Sequence, residues 1–231
     1  MNINKNVVLL TLYVTFFLNS TGLGTSNFLL PVYAETLGAT YSDLGKIGAF
    51  GNIMYLTFTL LTGYILDKGD RLKLYLLFTL CGSFTVSLFA FTSSIIQVIY
   101  VRGLLGVFSA TFWVTASTLT ANIAEPENLT RAMGRYNLAW ILGFTLGPIM
   151  GGFVINLLGF RAFFFSLGGL LLISSLIILK IRVPEILETH EVEETSEKDD
   201  LRRILFAYLT LTPFAVILGI YMAIIPGHMK I

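Results

Sequence analysis

Charged residues make up only 13% of this chain, and histidine occurs twice. Set against 55% hydrophobic residues, that scarcity excludes an ordinary soluble domain, in which about a quarter of the residues are charged. Cys81 has no second cysteine to meet, so an internal disulfide is excluded and redox chemistry lacks a resolving partner. A net charge of +1, with the basic residues dispersed, leaves no patch for nucleic acid. The sequence also lacks a Walker-type Gly-Lys-Ser/Thr, a metal-ligand cluster and a catalytic dyad, so neither an enzyme nor a bound metal or cofactor is expected.

What the chain has in quantity is apolar runs of spanning length. Six lie at 6–30, 44–66, 72–91, 95–121, 136–158 and 160–179, and a seventh begins at Arg203; each is near the roughly 20 residues that cross a bilayer core. Every Asp and Glu falls at or beyond the end of a run, as the cost of placing charge in hydrocarbon requires. The first run is too long for a signal-peptide core and no small-residue cleavage site follows it, so it is expected to remain as a signal anchor. With the amino terminus in the cytoplasm, Lys5, Lys68, Arg71, Lys73, Arg131, Arg135, Lys180, Arg182, Lys198, Arg202 and Arg203 lie inside. Only Lys46, Arg161 and Lys230 then lie outside, which is the orientation the positive-inside rule favours. The expected location is the plasma membrane. Residues 182–202, "RVPEILETHEVEETSEKDDLR", have no apolar period and read as an acidic cytoplasmic linker.

An internal echo follows the second and fifth runs. "GYILDKGDRL" and "GFVINLLGFR" align Gly63 with Gly152 and Asp67 with Asn156, one junction on each side of the membrane. An inverted pair of three-helix units would produce that relation.

Three stretches resemble the motifs of the major facilitator superfamily. "GYILDKGDRLK" matches the loop between helices two and three through Gly63, Asp67, Lys68 and Arg71, although Asp70 stands where the family has glycine and Leu72 where it has a second basic residue. "RGLLGVFSA" matches the fourth-helix motif through Arg102, Gly106 and Ala110. "GFTLGPIMGG" matches the fifth-helix motif at Gly143, Gly147, Pro148, Gly151 and Gly152, every specified position. The resemblance covers residues 1 to about 180 and extends over the linker and the seventh run. It implies an all-α integral membrane protein: a six-helix bundle over 1–181 made of two inverted three-helix repeats, the linker at 182–202, and a seventh transmembrane helix over 203–231 that opens an incomplete second half. The implied function is secondary active or facilitative movement of a small solute by alternating access, of the efflux type, driven by an ion or solute gradient and requiring a second six-helix half that is missing, separately encoded or a second copy. A non-transporting seven-helix receptor or scaffold is the alternative.

Several residues can then be assigned expected roles. Gly143, Gly147 and Gly151 recur every fourth residue and form a flat surface for close backbone approach in lipid. The resemblance implies that the opposite half is the partner, while packing inside one bundle also fits. Pro148 removes one helix hydrogen bond. Arg102, Gly106, Ser109, Trp113 and Thr120 share one helical face, so the costly charge would head a polar stripe lining a cavity; the alternative is an interfacial anchor. Helix one carries Thr11, Thr15, Asn19, Gly22 and Ser26 on a matching arc, suited either to a solute or to interhelical bonds. Asn52, in line with Gly45, Gly48 and Thr59, reads as packing. The resemblance makes Gly63, Asp67, Lys68 and Arg71 a conformational latch, with Arg71 pairing to Glu125 or Glu127. No Asp, Glu or His lies inside a run, so a proton-carrying group is not found in these helices.

Overall fold

In a computed structural model, residues 5–180 are described, the side chains of Asp67 and Lys68 excepted. The expected linker at 182–202 and seventh helix at 203–231 lie outside the described residues. The described chain is helical: α1 Lys5–Thr36, α2 Tyr41–Lys68, α3 Arg71–Leu88, α4 Ile95–Ile123 and α5 Leu129–Leu179, with short 3-10 turns at Phe89–Phe91 and Pro126–Asn128. Among these residues, five helical stretches are long and apolar enough to cross a membrane. The expected segments fall inside them, and most helices run a few residues beyond, because capping groups rather than the apolar edge decide where a helix stops. Thr40 and Asp43 close a capping box at the start of α2, the Asp43 carboxylate accepting from Thr40 N at 3.1 Å. Ser94 caps α4 by accepting from Gln97 N.

The longest stretch, α5, has 51 residues. At ~1.5 Å per residue it would measure about 77 Å, more than twice the ~30 Å of a hydrocarbon core. It is not continuous. Gly159 has φ 78° and ψ 174°, a conformation open to glycine and closed to side chains, and it divides α5 into a first arm, 129–158, and a second, 160–179. The arms run in opposite directions. Along the first arm, Gly143, Gly147 and Gly151 meet Ser20, Thr25 and Leu29 in rising order. Along the second, Phe160 and Phe164 meet Tyr33 near the end of α1, and Ser174 meets Asn19 nearer its start.

Two aromatic clusters fill the core at opposite ends of the bundle. Phe16 stands edge-on to Tyr75 at 5.7 Å and to Tyr136 at 5.2 Å, with Phe112 stacked on Tyr75 at 5.4 Å. Toward the other end Phe164 contacts Tyr33, Phe89 and Phe163 at 5.0–5.2 Å. Outward faces stay apolar and exposed, including Ile53, Leu56 and Leu60 on α2 and Leu146, Ile149 and Phe153 on α5. A surface of that kind suits lipid or another apolar bundle and not water.

Candidate functional site

The α2–α4 contact is built on small residues. A Cβ at Gly106 would strike the carbonyl oxygen of Gly51, and one at Gly103 would strike the ring of Phe50. Gly51 in turn lies under Arg102: a Cβ there would come within 2.7 Å of the guanidinium carbon. The glycines bring the two backbones together and leave a trough along α2 in which the Arg102 side chain rests.

That side chain reaches a cavity of about 440 Å³ between α1, α2, α4 and the first arm of α5. Its walls include Arg102, Ser109 and Trp113, as the α4 stripe predicts. The stripe ends there: the Thr120 hydroxyl is buried and donates to Ala116 O at 2.9 Å. Asn52 lines the cavity too, and its Oδ1 accepts from Arg102 Nη2 at 3.5 Å, the outer limit of a hydrogen bond. Asn52 is thus a cavity residue and not only a packing one. Among the described residues no carboxylate pairs with Arg102.

The helix-one residues go elsewhere. Thr15 Oγ1 meets Tyr75 OH at 3.0 Å, and Asn19 Nδ2 donates to Ser174 Oγ at 2.6 Å and to Thr15 O at 2.8 Å. Ser26 Oγ donates back to Leu23 O at 2.8 Å. All three are fully buried, so the structure joins Thr15 and Asn19 to α3 and the second arm of α5 instead of presenting them to a solute. The cavity is served by Asn27, one position and ~100° further round the helix. Tyr55, Trp140 and Phe144 were also missed by the sequence reading. The signal for Asn27 was present, since an amide in an apolar run needs a partner; what was absent was the phase of the helix.

An aromatic wall closes one side. The rings of Trp113 and Trp140 lie 6.1 Å apart, and Phe144 sits 5.9 Å and 5.7 Å from them. Of the buried side-chain polar atoms without a hydrogen-bond partner, Ser109 Oγ and Asn27 Oδ1 are the two that line this cavity. Buried polar atoms are nearly always satisfied, so these two are exceptions in the cavity wall among the described residues.

The expected partner of the fifth-helix glycines is corrected. Gly143, Gly147 and Gly151 are buried against α1 of the same bundle: a Cβ would strike Ser20 at the first, Thr25 at the second, and Thr25 and Leu29 at the third. The flat face meets the run of small residues Ser20, Thr21 and Thr25, whose hydroxyls and short side chains complement it. Gly152 faces open space, and Pro148 is half-buried beside the seam.

At the opposite end of the bundle, the expected ion pair between Arg71 and Glu125 is not formed; Glu125 accepts from Asn128 Nδ2 at 3.3 Å. Glu125 also lines a polar cavity of about 520 Å³ with Lys5, Arg131 and Arg135. Asp70, the departure from the motif, caps α3: its carboxylate accepts from Leu72 N at 3.0 Å and Lys73 N at 3.1 Å and pairs with Lys73 Nζ. Burial alone would raise the Asp70 carboxyl. The hydrogen bonds from Lys73 and Leu72, with the Lys73 charge, outweigh it and hold the group below the usual range. Gly63 is exposed with nothing near it.

The family model described as Major Facilitator Superfamily matches residues 12–229. The chain is 28% identical over 207 residues to an uncharacterised MFS-type transporter of Methanocaldococcus jannaschii, covering 87% of this chain and 50% of that one. It is 28% identical over 216 residues to Multidrug resistance protein 1 of Bacillus subtilis, covering 93% and 54%. The chain therefore spans about half the length of the curated relatives it matches. Among solved structures, a bacterial homolog of the human lysosomal transporter Spinster superposes with a TM-score of 0.67 at 17% identity, covering 80% of this chain and 44% of that one.

Proposed function

The chain belongs to the major facilitator superfamily, and on that premise we propose that it forms the amino-terminal half of an exporter that moves a small solute by alternating access. The single observation that carries this reading is the cavity: an unpaired guanidinium, two unsatisfied polar atoms and an aromatic wall converge between four helical segments of an otherwise apolar bundle. The opposed arms of α5 make six spans of the described residues, consistent with two inverted three-helix units. The amino terminus is cytoplasmic in the plasma membrane, because Lys5, Arg71, Lys73, Arg131, Arg135 and Lys180 gather at one end of the bundle and Lys46 and Arg161 at the other. Export as the direction is supported by the Bacillus relative's description as a multidrug resistance protein.

One half supplies one wall of an alternating-access site. A second six-helix half, whether it follows in a longer protein, is separately encoded or is a second copy, packs on the exposed apolar faces of α2 and α5 that flank the cavity. Gly63, Asp67, Lys68 and Arg71 act as a latch toward that half, and the coupling ion is carried there. Reconstitution tests this directly: vesicles loaded with many copies, or with chain plus second half, should show saturable, gradient-driven solute flux that Arg102→Ala abolishes, and vesicles holding single copies should be silent. Saturable flux from single copies would remove the need for a second half. An absence of flux at every loading would overturn transport.

A further inference from the structure

The geometry points to a solute of one chemical class for the cavity: a planar aromatic molecule bearing a carboxylate or another anionic group. This rests on the reading of that cavity as a solute site. Charge sign comes first. The cavity holds one cation, Arg102, and no carboxylate. A guanidinium offers five N–H donors in a fixed fork, and here, among the described residues, Asn52 Oδ1 at 3.5 Å is the side-chain acceptor hydrogen-bonded to it and no protein anion pairs with it. A cationic solute would enter that field with nothing to neutralise it, whereas a carboxylate would gain a charge-assisted, two-point contact.

Shape comes second. Trp113 lies roughly 16 Å from Arg102 along the α4 axis, at ~1.5 Å rise per residue, and the reach of the arginine side chain shortens the gap. A flat body of two or three fused rings fills what remains, with its face or edge offered to the Trp113, Trp140 and Phe144 rings, which are themselves set 48–86° to one another. Between the two ends the wall carries Ser109 and Asn27, whose Oγ and Oδ1 have no partner among the described residues and are closed off from the cavity surface.

The chain's two tryptophans both line this cavity, so energy transfer from them reports on ligands bound there. Three probes share one tricyclic ring and differ only in charge: 9-anthracenecarboxylate, 9-anthracenemethanol and 9-anthracenemethylammonium. Titrated into the full chain in lipid nanodiscs, with excitation of tryptophan, the carboxylate should bind at least tenfold more tightly than the ammonium, the alcohol falling between. Arg102→Gln should bring the affinities of the three within about threefold of one another. Equal or tighter binding of the ammonium by the unmodified chain overturns the anionic class and leaves the cavity standing as a solute site. So does a carboxylate preference that survives Arg102→Gln. If no probe draws tryptophan emission, the solute-site reading falls and the anionic class with it. The series in the unmodified chain decides by itself should the variant fail to fold.

Discussion

Two glycine seams run through this bundle, and they serve opposite ends. On the α1–α5 seam, Gly143, Gly147 and Gly151 lie under hydroxyl-bearing and apolar residues of α1 that fill the space a side chain would need. Ser20 and Thr21 there donate to carbonyls of their own helix, at 2.6 Å and 2.8 Å. On the α2–α4 seam, Gly106 and Gly103 also allow close approach, but Gly51 leaves its room to a charged side chain, and the seam borders a cavity. The first seam spends its glycines on closing a surface and the second on opening one. Identical residue types at helical spacing do not tell the two apart; the neighbouring helix does.

The contrast is broken most severely by Gly147→Leu. A Cβ at that position would meet Thr25 Oγ1 and come within 3.1 Å of Thr21 O, and a leucine adds three more carbons against a backbone that has no slack. Overpacking of this kind costs about 1–3 kcal/mol even for single methylenes in a tight core. The variant should lose most of its folded yield, read by size-exclusion and thermal aggregation in detergent. A well-folded Gly147→Leu chain would show that α1 does not lie on that face.

Gly106→Ala comes next, because its Cβ would meet the Gly51 carbonyl, which is backbone. It should lower the thermal midpoint by several degrees. Gly51→Ala should behave differently: the obstacle there is the Arg102 side chain, from Cγ at 2.9 Å to the guanidinium at 2.7 Å, and not backbone, so the bundle stays folded while Arg102 is displaced and carboxylate probe binding weakens about tenfold. Equal thermal losses for these two variants would erase the distinction between packing and site within the second seam.

Smaller still is Tyr75→Phe, which removes the hydroxyl that Thr15 and Asn19 meet. Interhelical hydrogen bonds in membranes average ~0.6 kcal/mol, and unfolding in mixed micelles should register a loss of that order. Gly152→Leu closes the series with an expected change near zero, since nothing lies within 4 Å of a Cβ there. A destabilisation comparable to that of Gly147→Leu would mean that a partner covers the face Gly152 occupies.

The helices were legible in the sequence because the bilayer forces their length and composition; runs such as 95–121 and 160–179 are recovered within two residues or fewer at each end. The division of α5 was legible as well, through Gly159 between two spanning runs. Arg102, Ser109 and Trp113 were readable as cavity residues because one helical face carried all three. The partner of the fifth-helix glycines was not readable, since spacing describes a surface and is silent about what lies on it. For Thr15, Asn19 and Ser26 the sequence left two readings open for a related reason: a polar stripe says that partners are needed, and α3 and the second arm of α5 supply them for the first two. Asn27 and Asn52 look like isolated amides until α1, α2 and α4 are placed side by side.

Gly159 has a consequence for how the chain can be handled. The two arms of α5 reverse direction through a single residue in a conformation that side chains resist, so this end of the hairpin offers no slack for a protease to grip or for a tag to occupy. An affinity epitope inserted there would have to pry apart Phe160, Phe163 and Tyr33, whereas the Pro126–Asn128 turn at the other end of the first arm is exposed and would carry one without disturbing the rings. Mechanically the hairpin is a stiff fork with a welded root. A tilt imposed on the first arm by whatever packs on its outer face is delivered, undiminished by any flexible loop, to the second.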